Sequence, residues 1–293
     1  MKLFKLIIVL LLLFSISSKS RTISIASYND ENPTEIYFYK DSLKIQSWFY
    51  KSTRKELSPI VFLLHGYPDQ DKDVLGLGKF LSDEGFNVLC LNYIGTYKSE
   101  GLWDPISSIQ SVEAAIDFIN SEDFKRKFAI NSVEKTIIGH SFGGGMAVLG
   151  SLYDSSITKV ISIAGGDLGV LGNQILEDPE FAKGHQQFLD WAISDSTISR
   201  GLGGKKTHEI YGKIIIEEFN LKDYCDQLSQ KDILLIGGWN DDVIKVEDHM
   251  LPLYRCLQQF DPERLNIKTF ETDHSFRSVN LELKQKVLEW IKE

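Results

Sequence analysis

The amino-acid sequence predicts an α/β fold: an open, mostly parallel sheet of about eight strands with helices on both faces and one helical insertion. Two observations carry this expectation. Short, near-continuously apolar runs, IVFLLHG, NVLCLNY, KTIIGHS, KVISIAG, DILLIGG and LNIKTFE, have the composition of strands buried on both faces of a parallel sheet. Segments of helical period lie between them, so strand and helix alternate along the chain.

The elements follow in order. The N-terminus reads MKLFKLIIVLLLLFSISSKS, with two lysines, an apolar stretch from Leu6 to Ile16 and then small polar residues. A run of about 11 apolar residues is too short to cross a bilayer core of about 30 Å as a helix, and the pattern is that of a secretory signal peptide. Residues 1–20 are expected to be cleaved after Ser20, leaving 21–293 as a single domain, secreted or periplasmic, without stable membrane insertion. The alternative is an uncleaved membrane anchor. TEIYFYKDSLKIQSWFYKS then alternates apolar and polar residues around KDS, which predicts an antiparallel hairpin.

Among the helical segments, VLGLGKFLSDEG ends on a glycine suited to a C-cap, SIQSVEAAIDFINS spaces its apolar residues three and four apart, and SVNLELKQKVLEWIKE closes the chain. Residues 167–230 break the rhythm, being too long for an ordinary crossover. PEFAKGHQQFLDWAI and HEIYGKIIIEEF within them have helical spacing. We read this insertion as a helical cap, or else as extra helices packed on one edge of the sheet. Its Phe181, Phe188, Trp191 and Tyr211 either line an apolar pocket or, as is commoner at such spacing, pack in the core.

Composition narrows the function. The 293 residues are 43% hydrophobic and 25% charged with a formal net charge of −9, and no lysine- or arginine-rich run follows the first few residues, so nucleic acid is not an expected partner. There are three cysteines. Cys90, in NVLCLNY, is expected in a buried strand; Cys225 and Cys256 can pair in an oxidising compartment if the fold brings their Cα atoms within reach. Neither HExxH nor CxxC spacing occurs, and no metal or cofactor is expected.

Ligands of open α/β sheets bind beyond the carboxyl ends of the strands, so the residues just after the apolar runs come first. TIIGHSFGGGMA places Ser141 between glycines, after a β-branched run and before small residues that can begin a helix. Taken alone this is only a serine in a glycine-rich turn, and a serine hydroxyl needs a base within reach and an acid to orient that base. FLLHGYP ends an earlier strand; its glycine lets the backbone come close, and the amide of Tyr67 can face that of Phe142 to stabilise a developing oxyanion. DILLIGGWNDDVI presents Asp241, with Asp242 as the alternative acid. FETDHSF puts His274 on the loop after the last strand. The chain order serine, acid, histidine on successive strand ends is one in which such sites recur.

On these motifs, from about residue 35 to the end, the chain resembles the α/β-hydrolase superfamily. GHSFGG resembles the family's nucleophile elbow and HGYP its oxyanion loop, and Asp241 and His274 match its acid and base. NYIGTYKSEG and GWNDD are similar to stretches of its prolyl oligopeptidase and dienelactone hydrolase relatives. Two departures stand out: His274 is followed by Ser275 and Phe276 in DHSF, and there is no room for an N-terminal propeller. The resemblance implies a serine hydrolase, carboxylesterase-like, cleaving a small ester or amide or a short peptide through an acyl-enzyme on Ser141, with activity falling in acid because the base must start neutral. The alternatives are a peptidase of the prolyl oligopeptidase type and a non-catalytic binding protein on the same fold.

Overall fold

The computed structural model describes residues 33–54, 57–69, 71–128, 130–260 and 265–293; the leader expected at residues 1–20 lies outside them. The described strands form one eight-stranded sheet in the order β1-β2-β4-β3-β5-β6-β7-β8. β1 (Thr34–Lys40) and β2 (Leu43–Tyr50) are the expected hairpin, turning through Asp41 at φ 53°. β2 pairs antiparallel with β4 (Asn87–Leu91), and from there the sheet is parallel through β3 (Ser58–Leu64), β5 (Ile130–His140), β6 (Ile157–Ile163), β7 (Asp232–Gly238) and β8 (Leu265–Phe270).

The apolar runs are continuous because each strand feeds a core on both faces. In β3, Ile60, Phe62 and Leu64 point to one core while Val61 and Leu63 point to the other; in β7, Ile233 and Leu235 alternate in the same way with Leu234 and Ile236. The first core is closed by α2 (Pro105–Asn120), α3 (Glu122–Phe128) and α4 (Phe142–Gly150). The second is closed by α1 (Leu77–Asp83), followed by Gly85 at φ 98°, and by the C-terminal α10 (Asn280–Lys292). Asp104 starts α2 with a reciprocal cap, its carboxylate accepting from the Ser107 amide while the Ser107 hydroxyl accepts from its own.

Strand order creates the site. From β3 the chain passes to β4 on one side and then returns to β5 on the other, so the carboxyl ends of β3 and β5 flank a reversal of direction, where a crevice opens in such sheets.

Between β6 and β7 lie α5 (Leu168–Glu177), α6 (Pro179–Ala192) and α7 (Gly204–Glu218), then the short α8 (Cys225–Leu228). Cys225 and Cys256 form a disulfide with Cα atoms 6.1 Å apart, tying α8 to α9 (Leu251–Leu257), and Cys90 is buried in β4. The aromatic residues of the insertion depart from the expectation of core packing. Phe181, Phe188 and Trp191 are 37%, 39% and 61% exposed. The inward positions of α6 are taken by Leu189 and Ala192, and the aromatic rings run along its outer side. Tyr211 is half-buried, with its hydroxyl donating to Asp104 Oδ2 at 3.2 Å. Among the described residues no helix is long and apolar enough to cross a membrane.

Candidate active site

Ser141 stands between the end of β5 and the start of α4 with φ 57° and ψ −124°. A non-glycine residue there is strained by about 1–3 kcal/mol, and such strain persists only where the surroundings fix it. They do so here. The Ser141 amide donates to Ile163 O at 2.9 Å, and its carbonyl accepts from the amides of Gly144 at 2.9 Å and Gly166 at 3.1 Å. The flanking glycines allow the turn: a Cβ on Gly139 would sit 1.9 Å from Gly143 O, and one on Gly143 would sit 2.2 Å from Leu64 O. The bend thus presses against the end of β3.

The loops after β7 and β8 bring the other expected residues to this point. His274 Nε2 lies 2.9 Å from Ser141 Oγ, and His274 Nδ1 lies 2.7 Å from Asp241 Oδ2. Of the paired aspartates it is Asp241, 3% exposed, that lies beside His274, whereas Asp242 is exposed. The second oxygen of Asp241 accepts from the amides of Val243 at 2.9 Å and Ile244 at 2.8 Å. Burial alone would raise this carboxyl's pKa, but the bonds from His274 and the two amides outweigh it and hold the group below the usual carboxylate range. It is therefore ionised beside an imidazole whose Nδ1 donates to it.

The HGYP loop after β3 lies beside the elbow. A Cβ on Gly66 would be 3.2 Å from Ser141 Cβ, and the rings of Tyr67 and Phe142 are 6.2 Å apart. Its carbonyls are tied back: Tyr93 donates its hydroxyl to His65 O at 3.0 Å, and the His65 ring donates to Gly66 O. Burial lowers the pKa of His65, so this ring stays neutral. Among the described residues neither the Tyr67 nor the Phe142 amide donates to a protein acceptor, and Phe142 opens α4, where the first amides have no partner within the helix.

Three contributors escaped the sequence reading. His140 Nε2 donates to His274 O at 2.9 Å, holding the loop that carries the imidazole. Trp103 stacks on Tyr67 with ring centroids 3.4 Å apart and planes 6° from parallel. Ser199, from the insertion, shares a 2.8 Å hydrogen bond with the Tyr67 hydroxyl. A histidine next to the serine carried the only local signal; the other two depend on approaches that no spacing announces. Among the described residues no cluster of three or more histidine, cysteine or carboxylate side chains is placed to hold a metal.

A sequence model of the alpha/beta hydrolase fold matches residues 59–197, a span holding β3, the HGYP loop and the elbow. The chain has the α/β-hydrolase fold. Solved structures agree over nearly the whole chain. A Pyrococcus furiosus esterase superposes with a TM-score of 0.66 at 19% identity, covering 92% of this chain and 95% of the esterase. Est1E of Butyrivibrio proteoclasticus gives 0.62 at 16% identity, covering 88% and 99%. An acylaminoacyl peptidase of Pyrococcus horikoshii gives 0.63 at 16% identity, covering 89% of this chain but 41% of the peptidase. At these identities the likeness is one of fold. In sequence, an uncharacterized protein of Rickettsia prowazekii (strain Madrid E) is 28% identical over 120 residues; the match spans 39% of this chain and about half, 48%, of that relative.

Proposed function

We propose that the protein is an exported serine hydrolase that cleaves an ester or amide through an acyl-enzyme on Ser141. The observation that carries this reading is the unbroken hydrogen-bond chain Ser141 to His274 to Asp241, with contacts of 2.9 and 2.7 Å. As Oγ attacks the carbonyl carbon, His274 Nε2 takes the hydroxyl proton and Asp241 keeps Nδ1 protonated, so Nε2 has its lone pair free. The carbonyl oxygen becomes an anion, stabilised by the amides of Tyr67 and Phe142. In measured cases each such donor contributes about 2.7–4 kcal/mol. The imidazolium then protonates the leaving group, and a water activated by the same Nε2 releases the acyl group.

An esterase is the first reading and a peptidase the second: the Pyrococcus furiosus esterase superposes with the higher TM-score, 0.66 against 0.63 for the acylaminoacyl peptidase. Export is supported by the Cys225–Cys256 disulfide, which persists in oxidising compartments, and by the apolar leader with its expected cleavage after Ser20.

Labelling with a fluorophosphonate probe tests the reaction class. The native protein should react and Ser141→Ala should not; a native protein that stays unlabelled, or a variant that labels equally, removes the enzyme reading and leaves a binding protein. Rates on p-nitrophenyl esters of increasing chain length, set against aminoacyl and peptidyl amides, decide between esterase and peptidase. N-terminal sequencing of the protein recovered from outside the cytoplasm should begin at Arg21; an intact leader there indicates the membrane anchor instead.

A further inference from the structure

The insertion reaches the proposed oxyanion loop at one point. Tyr67 supplies one of the two amides, and its side chain is held by parts of the chain far from it in sequence. One face of its ring lies on Trp103, its edge approaches Phe142, and its hydroxyl meets Ser199 Oγ at 2.8 Å across 132 residues. Stacking requires only a ring, so phenylalanine would serve as well. The hydroxyl has a use only because Ser199 is there.

Ser199 is itself immobilised, being fully buried in a stretch stitched to the loop after β4. Tyr97 N donates to Ile198 O at 2.9 Å, Arg200 N to Gly95 O at 2.8 Å and Trp103 N to Arg200 O at 2.6 Å. The Arg200 guanidinium adds bonds to Tyr97 O and Ser196 O, both at 2.9 Å, and to Ser99 O. Trp103, whose ring carries Tyr67, and Ser199, whose hydroxyl fixes the far end of the same ring, thus belong to one rigid piece of backbone. With its side chain clamped at both ends, the Tyr67 residue cannot swing about Cα, and the direction of its amide is set.

We infer that Ser199 and Trp103 are positioning residues for the oxyanion donor at Tyr67, so that the insertion between β6 and β7 takes part in transition-state stabilisation rather than only covering the site. The inference rests on the serine hydrolase reading above. An oxyanion donor must point to where charge develops, within about 2.7–3.1 Å, and that charge is absent from the bound substrate. Loosening the amide therefore lowers the rate of the bond-making step and leaves ground-state binding alone.

The test uses fluorophosphonate inactivation, in which Ser141 Oγ attacks phosphorus, fluoride leaves and negative charge builds on the phosphoryl oxygen. Tyr67→Phe and Ser199→Ala are each expected to lower the maximal inactivation rate about tenfold with the probe's KI within about twofold of the native value. The double variant should lose no more than either single one, since both break the same bond. Melting curves establish that each variant is folded, and if Tyr67→Phe does not fold, Ser199→Ala decides on the same readout. Unchanged maximal rates, a loss confined to KI, or losses that multiply in the double variant overturn the inference while the serine hydrolase reading stands. A native protein that the probe does not label overturns both.

Discussion

The loops at the carboxyl ends of β3, β5, β7 and β8 and the insertion between β6 and β7 are built on opposite principles. In the first region backbone presses on backbone, Asp241 is buried, and Ser141, His274 and Asp241 are joined by hydrogen bonds across three strand ends. In the second, α6 buries only Leu189 and Ala192 and α7 only Gly204 and Thr207, while large apolar side chains face outward. The chemistry is thus placed where the fold tolerates least change. Within the insertion, tight fixation is found at the stretch around Ser199 and at Cys225, which is tied to Cys256.

The largest effect that can break this contrast is at Asp241. Replacing it with Asn removes the acceptor for His274 Nδ1–H and favours the wrong tautomer, so kcat should fall by about four orders of magnitude; Asp242→Asn, at an exposed position, should stay within about twofold. Kinetics on one p-nitrophenyl ester measure both. Equal losses would mean that the loop, and not the buried carboxylate, matters.

Next in size is the elbow. A Cβ on Gly143 would meet Leu64 O at 2.2 Å, a backbone atom that cannot move without displacing β3. Gly143→Ala should cost about 3 kcal/mol in urea denaturation and abolish probe labelling, whereas Gly212→Ala in α7, where a Cβ meets nothing within 4 Å, should cost nothing and raise helix stability by up to about 1 kcal/mol.

These two regions also differ in how much of them could be read from sequence. Buried parallel strands appear as apolar runs, because both faces are covered, and the elbow is written in adjacent residues. Strand order is not: that FLLHGYP neighbours TIIGHS follows from β3 pairing with β5, which depends on where the crossovers pass. Asp241 and Asp242 could be separated only once the loop's turn was known. The insertion misled because Phe181, Phe188 and Trp191 have a spacing that suits an inward or an outward face alike, and only packing shows that Leu189 and Ala192 took the inward one.

Acid should separate the regions more gently. His185 Nδ1 and His208 Nε2 lie 2.7 Å apart between α6 and α7, so one must donate and the other accept, and the two rings cannot both be charged without losing that bond and repelling each other. Burial, with the His208 ring alongside, pushes the His185 pKa down to about 4. An unfolded histidine titrates near 6.5, so between these values the unfolded chain binds more protons and stability falls as the pH falls; after allowance for the ring's partial exposure the loss is about 1–2 kcal/mol. Asp241, with its pKa lowered, loses its own contribution only below the usual carboxylate range. Hydrogen exchange at pH 7 and pH 4.5 should therefore show α6 and α7 losing protection while β5 and β7 keep theirs, and His185→Gln should flatten the change. Loss of protection in all four elements together would show that the insertion is not a separate unit of stability.

The smallest expected effect lies on the outer row of α6. Trp191 is 61% exposed and Phe188 39%, so Trp191 keeps most of its apolar surface in water in the folded chain and Phe188 more than a third of it. Replacing Trp191 with Ser should change stability by no more than about 0.5 kcal/mol, and replacing Phe188 with Ser should change it by no more than about 1 kcal/mol, because no enclosed cavity forms and no buried polar group loses a partner. The Phe188 ring lies 5.9 Å from that of Trp191 and 6.2 Å from that of His185, centroid to centroid. Urea denaturation of the two single variants measures this directly. A loss above 1 kcal/mol would mean that the row is covered in solution, and that the contrast between a packed site and a loosely attached insertion is drawn too sharply.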